Sequence, residues 1–219
     1  MSRSVEQFQD SQWRRLDELN FSKRAILSLL RKGSVLDVGC GDGLLLEHLK
    51  RRGLAVSGID ISAVALRICA ERGLDCVQGD ISERLPFEDG AFDSVLLIDV
   101  LEHLFQPLEV LKEAARVARK HVFISVPNFI SLPARLQMLF GRVPENNTPR
   151  DGHVYFMTLS VIQALLAEAG LRSETLVVNT FWEGVPVIGR VMAIAAKLLP
   201  SLCALSFIIK AEKLDSPFV

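Results

Sequence analysis

The sequence predicts an α/β fold, a mostly parallel sheet held between two layers of helices, and three observations predict it. Short apolar runs alternate with amphipathic stretches of about ten residues, the rhythm of repeated βα units. The apolar runs are continuous rather than alternating, as expected for strands buried on both faces. Four of them end on a carboxylate or lead straight into one, at Asp37, Asp60, Asp80 and Asp99, with gaps of 23, 20 and 19 residues. One acid per unit lines the carboxyl edge of a single sheet, where open α/β folds bind their ligands.

The elements follow in order. Residues 5–30 carry Phe8, Trp13, Leu16, Leu19, Ile26 and Leu30 near helical spacing, and read as one or two helices broken around Asn20-Phe21-Ser22. Ser34–Val38, Ala55–Ile59, Asp75–Val77, Ser94–Ile98 and His121–Val126 read as strands. Leu44–Arg52, Ala63–Arg72 and Pro107–Arg119 read as the helices between them. Beyond residue 126 the pattern loosens. Ser131–Gly141 looks helical, Arg142–Gly152 looks like an exposed loop, and Leu159–Gly170 is an amphipathic helix with glycine past its end. Leu171–Val178 fits a strand, Ile188–Leu199 a helix and Leu205–Ala211 a last strand. No repeat, low-complexity tract or linker divides the chain, so one domain is expected over 1–219.

Composition narrows the class. The 219 residues are 49% hydrophobic and 23% charged with a net charge of −1, which excludes a disordered chain and argues against an electrostatic nucleic-acid binder. Cys40, Cys69, Cys76 and Cys203 show no CxxC spacing and no clustering with histidine, so they read as small core residues of a reducing compartment. Met1 to Asn20 contains no apolar segment of the secretory type, and no uninterrupted apolar run reaches the ~18 residues of a membrane span. A soluble cytoplasmic protein is expected.

The run Val35-Leu36-Asp37-Val38-Gly39-Cys40-Gly41-Asp42-Gly43 ends the first strand and opens a helix. Alternate glycines remove Cβ atoms where a backbone turns sharply and approaches a ligand. A dinucleotide loop wants G-x-G-x-x-G, yet its third glycine would fall on Leu44 or Leu46. No Gly-Lys-Ser/Thr follows, so a phosphate-cradling P-loop is excluded as well. Asp37 beside the loop would repel a diphosphate and suits a ligand bearing an ammonium.

These residues resemble the class I S-adenosylmethionine-dependent methyltransferases. The resemblance rests on VLDVGCGDG at 35–43, GIDIS at 58–62, QGDISERLPFEDGAFDSVLLIDVLEHL at 78–104 and ISVPN at 124–128. It implies a Rossmann-like three-layer αβα sandwich whose seven-stranded, mostly parallel sheet ends in an antiparallel last strand, with Leu171–Val178 and Leu205–Ala211 as the final pair. It implies that Gly39, Cys40, Gly41 and Gly43 hold the methionine part of S-adenosylmethionine, with Asp37 and Asp99 near its amino-acid end. Asp60, followed by Ile61, would accept from the ribose hydroxyls, and Asp80 with Ile81 would meet the adenine. Residues 1–33 would form a helical lid, 34–128 the cofactor core and 129–219 the acceptor side.

Methyl transfer needs alignment more than a triad, and a base only where the acceptor must lose a proton. Asp99-Val100-Leu101-Glu102-His103, with His153 later, resembles the E-x-x-E-H pattern of ubiquinone-biosynthesis and small-RNA O-methyltransferases, in which a divalent metal sits beside the acceptor. Here Asp99, Glu102, His103 and His153 would be the ligands, although aspartate at the first position is one methylene shorter. His103 is the candidate base if there is no metal, as many metal-free relatives carry the same stretch. Arg116, Arg119, Lys120 and His121 read as cations complementing a helix end. Phe8, Trp13, Arg14 and Trp182 are candidates for acceptor contact. The expected acceptor is a small molecule of quinone, sugar or lipid type bearing a hydroxyl or amine.

A different reading comes from SVPNFISLPARLQMLFGRVP at 125–144, which is similar to the same stretch of MetW proteins. That family works with homoserine acyltransferases, so the resemblance implies a regulatory or binding subunit. Mean hydropathy is +0.29, and much of the excess falls in Val185–Ile209, where 18 of 25 residues are apolar. A buried helix feeding the last strand is expected there. The alternative is a surface for a protein partner, a lipid-like acceptor or a membrane face.

Overall fold

The computed structural model describes residues 15–144, 152–181 and 185–214. Seven strands form one sheet in the order β3-β2-β1-β4-β5-β7-β6. They are β1 (Ser34–Val38), β2 (Ala55–Asp60), β3 (Cys76–Gln78), β4 (Phe92–Ile98), β5 (Ala118–Pro127), β6 (Leu171–Thr180) and β7 (Ala204–Lys213). The first five pair in parallel; β7 lies antiparallel between β5 and β6. This is the expected Rossmann-like sandwich with its antiparallel last strand.

Helices α1 (Phe21–Leu29), α2 (Leu44–Arg51), α3 (Ala63–Glu71), α4 (Pro107–Val117), α5 (Leu132–Leu139) and α6 (Leu159–Glu168) join the strands. Local chemistry sets their starts. Asn20, Ser62 and Thr158 accept from Lys23, Ala65 and Val161 amides as N-caps, so the break expected at Asn20 is the start of α1. Successive strand residues serve opposite faces, and two cores result. Leu36, Val95, Leu97, Val122 and Ile124 pack with α4 and α6, while Val35, Leu96, Ile98 and Phe123 pack with α1 and α2.

Three expectations need correction. Strand β5 begins directly after α4, so Arg119, Lys120 and His121 lie on a strand rather than at a helix end. There Arg119 pairs with Asp93, while Arg116 on α4 clamps the 85–89 loop through Asp89 and the Leu85 and Phe87 carbonyls. The cysteines are not scattered: folding brings the sulfurs of Cys40, Cys69 and Cys76 within 4.8 Å of one another. Finally, the apolar C-terminal stretch divides. Strand β7 is buried, with Phe207, Ile208 and Ile209 in the cores. The helix before it, α7 (Pro186–Leu198), followed by the short α8 (Pro200–Cys203), exposes Val187, Val191, Ile194 and Leu198 to between 59% and 76%. Among the described residues, no helix is long and apolar enough to cross a membrane.

Candidate cofactor and acceptor site

The glycine loop runs from the end of β1 into α2. Gly39, Gly41 and Gly43 all have positive φ, at 78°, 55° and 70°. Side chains are barred there for a second reason. A Cβ on Gly39 would meet Val100 at 2.7 Å, and one on Gly43 would meet Leu74 at 2.6 Å and the Cys69 sulfur at 2.8 Å. The loop is docked on β2, because the Gly39 and Cys40 amides donate to the Ile59 carbonyl.

Asp60 ends β2 and ties the loop down. Its Oδ2 accepts from the Gly41 amide and its Oδ1 from the Ser62 amide, both at 2.9 Å. Burial still pushes this carboxyl above its ordinary value, against the backbone amides that favour its charge. Each oxygen keeps acceptor capacity beyond the amide it already holds. Asp37, on β1, is buried with no hydrogen-bond partner for Oδ1. Burial pushes its carboxyl up to about 7, opposed by the Lys23 charge from α1.

Sequence reasoning missed the fastening beneath the loop. Asp42 is fully buried and pairs with Arg72 at 2.8 Å, while Arg72 also reaches Glu47 at 2.7 Å. Leu16 joins this knot, its amide donating to Asp42 and its carbonyl accepting from Arg72. Arg72 had entered the sequence reading only as the last residue of a helix. Its distance of 30 residues from Asp42 leaves no local pattern to read.

At the end of β4, Asp99 adopts φ 55°, a conformation L side chains rarely take. Ser125 Oγ donates to its Oδ1 and Asn20 Nδ2 donates to its Oδ2 at 3.2 Å. Asn20 and Ser125 are therefore site residues the sequence reading did not single out. Asp80 is turned toward its own chain, Oδ1 accepting from Ser82, and Ile61 accepts from Gln78 through its carbonyl. Ile81 is partly buried and packs against the core.

A second group lies one turn beyond Asp99. Donor atoms of Glu102, His103 and His153 lie within 4.8 Å of one another; Asp99, the short first position of the E-x-x-E-H-like stretch, stands outside that group. Glu102 is buried, its Oε2 has no partner, and burial followed by the Asp99 charge pushes its carboxyl up to about 8. His103 Nδ1 lies 3.2 Å from the Gly152 carbonyl. A carbonyl only accepts, so Nδ1 carries the proton and Nε2 is the basic nitrogen. His153 Nε2 lies 4.0 Å from Glu102 Oε1, and the two imidazoles meet edge to face at 4.8 Å. Phe8, Trp13, Arg14 and Trp182 lie outside the described residues. A groove of about 620 Å³ opens between α1, β6 and α7, walled by Phe21, Leu176 and Val178 and bordered by Arg190 and Lys197.

Comparison with known proteins decides what carries this edge. The family model for methionine biosynthesis protein MetW matches residues 21–177. The chain belongs to the MetW family. Among curated relatives, this MetW-family chain is 30% identical over 183 residues to a ubiquinone biosynthesis O-methyltransferase of Chromobacterium violaceum, covering 76% of this chain and 78% of that protein. It is 31% identical over 186 residues to the bifunctional methionine biosynthesis protein MetXA/MetW of Rhodopirellula baltica, covering 75% of this chain and 29% of that protein. Among solved structures, magnesium protoporphyrin IX methyltransferase of Synechocystis, with S-adenosylhomocysteine bound, superposes with a TM-score of 0.68 at 17% identity over 96% and 95% of the two chains. A methyltransferase of Archaeoglobus fulgidus gives 0.63 at 22% identity over 87% and 94%. The MetW-family chain is thus a class I S-adenosylmethionine-dependent methyltransferase.

Proposed function

We propose that the chain transfers a methyl group from S-adenosylmethionine to the hydroxyl or amine of a small, apolar-bodied acceptor. The observation that carries this reading is the unpartnered, buried Asp37 Oδ1 beneath a glycine loop already anchored by Asp60. An orphaned buried carboxylate oxygen costs stability unless a ligand supplies its donor, and the ammonium of a methionyl group is such a donor. Asp60 would take the ribose hydroxyls with its remaining lone pairs, Asp80 and Ile81 would flank the adenine, and Asp99 would lie toward the reacting end. Residues 34–128 then serve the cofactor, 1–33 cover it and 129–219 select the acceptor.

The bound cofactor supplies an activated methyl on a sulfonium; the chain's own groups align the acceptor and receive its proton. His103 is suited to the second task, with Nδ1 fixed as donor to Gly152 and Nε2 basic. Glu102, His103 and His153 also fit a divalent cation, since Glu102 Oε2 lacks a partner and two imidazoles stand beside it. Such an ion would supply Lewis-acid activation of an acceptor hydroxyl.

Apolar surface on the acceptor side supports the acceptor class. Leu136, Leu139 and Phe140 at α5 and Val187, Val191 and Ile194 on α7 are exposed, and Arg135, Arg190 and Lys197 are the only charges on these two helices. A quinone- or lipid-type molecule, met at an anionic membrane surface, suits that combination. A second reading keeps the chain as a regulatory subunit of an acyltransferase, which the fused bifunctional relative supports. Calorimetry with S-adenosylhomocysteine, followed by turnover on phenolic and lipid acceptors with and without chelator, tests both. Binding with turnover is expected; binding without turnover on any acceptor, together with co-purification of an acyltransferase, would favour the subunit.

A further inference from the structure

The geometry points to a three-thiol site for a soft, thiophilic cation, Cu(I) above all, formed by Cys40, Cys69 and Cys76 directly under the glycine loop. The three residues come from separate pieces of structure: Cys40 lies inside the loop, Cys69 on α3 and Cys76 on β3. Only the fold unites them. Their sulfurs lie within 4.8 Å of one another. Any such triangle contains a point no more than about 2.8 Å from all three sulfurs, against a metal–sulfur bond of about 2.3 Å. Small side-chain rotations close that half-ångström.

The backbone keeps this space clear. A Cβ on Gly58 would stand 2.7 Å from both the Cys40 and Cys76 sulfurs, so only glycine lets the two approach each other there. The donor set is all sulfur, without carboxylate or imidazole in the group. Thiolate sulfur selects soft ions, and a structural zinc site closes with four ligands rather than three, so a low-coordinate ion is the better match. The protons of the coordinating thiols leave to solvent as the cation takes their place.

The site reads out on the loop above it. Cys69 Sγ donates to the Gly41 carbonyl at 3.2 Å, and the Gly41 amide donates to Asp60. A cation on Cys69 removes the first of these bonds while pinning Cys40 between Gly39 and Gly41. Occupancy and cofactor affinity are then linked, each changing the other by the same factor.

The test uses the full chain, reduced and anaerobic, titrated with Cu(I) against a chromophoric Cu(I) chelator. One equivalent per chain is expected, with sulfur-to-copper charge-transfer absorption. Cys69→Ser and Cys76→Ser should each weaken binding by about 100-fold, while Cys203→Ser, buried elsewhere, should leave it unchanged. S-adenosylhomocysteine affinity should shift at least about fivefold on Cu(I) loading of the native chain only. X-ray absorption on the loaded native chain needs no variant to fold: three sulfur neighbours support the site. Nitrogen or oxygen ligands, less than half an equivalent bound, or equal binding by both serine variants would overturn it.

Discussion

Asp37 illustrates how a single buried carboxylate links stability to ligand binding. Its carboxyl titrates at about 7 in the folded chain and at 3.8 when exposed, so the folded state binds more protons between those values. Stability therefore falls as pH rises from about 4 to 7, by on the order of 4 kcal/mol at most, and levels off above. Asp37→Asn removes that fall: calorimetric melting of the ligand-free variant should exceed the native chain at pH 8 and match it near pH 4. The same change should abolish the rise in S-adenosylhomocysteine affinity, about tenfold between pH 6 and 8, that ionisation of Asp37 gives the native chain. A variant that binds with an unchanged pH profile would exclude Asp37 as the ammonium partner. Arg72 makes the complementary case. Arg72→Met strips the partner from Asp42, which is fully buried, and a lone buried charge costs about 3–5 kcal/mol. Chemical denaturation should report that loss.

Elements were legible where one local signal decided them. Strands β1 and β4 are buried on both faces over most of their length and β2 over its second half, so each reads as a mainly apolar run, and the acid at each exit could be counted along the chain. The helices from Ala63 and Leu159 were read from their amphipathic stretches, and the structure supplies the side-chain caps, Ser62 and Thr158, that set their starts. The cysteine group was not legible, because Cys40 is 29 residues from Cys69 and its meeting with Cys76 depends on β2 passing between them at Gly58. Helix α7 misled for another reason. Its two charges, Arg190 and Lys197, share one face seven residues apart, but the many apolar residues around them masked that signal; the structure puts Ala196 inward and leaves Val191 and Ile194 outward. That assignment carries its own prediction. Val191→Lys and Ile194→Lys should change unfolding free energy by less than about 0.5 kcal/mol, whereas Ala196→Leu overfills a packed position and should cost about 1–3 kcal/mol. If turnover on an apolar acceptor falls in the two lysine variants while their melting is unchanged, the exposed stripe serves the acceptor.

At the scale of the whole molecule, the chain before α1 is fastened across the carboxyl edge of the sheet. Leu16 is held by Asp42 and Arg72 just past β1, and four residues later Asn20 reaches Asp99 just past β4. Strands β1 and β4 are neighbours, so this short segment bridges the two exits between which the glycine loop opens. A ligand seated on the loop would lie under a strap tied at both ends. The two ties differ in strength. The Leu16 end is half-buried and held by a buried guanidinium and a buried carboxylate, while the Asn20 end is a single exposed hydrogen bond to Asp99. Opening should therefore begin at Asn20. Asn20→Asp is the sharpest test, because aspartate still caps α1 by accepting from Lys23 but repels the Asp99 carboxylate instead of donating to it. Stopped-flow measurement should find S-adenosylhomocysteine leaving this variant at least about fivefold faster, with melting in the absence of ligand lowered by no more than about 1 kcal/mol. Hydrogen exchange should show the amides of residues 15–20 losing protection in the ligand-bound variant while the Leu16 amide, bonded to Asp42, stays the slowest of them. Equal dissociation rates for the two chains would mean that the strap is fixed scaffold and that the cofactor enters by another side of the edge.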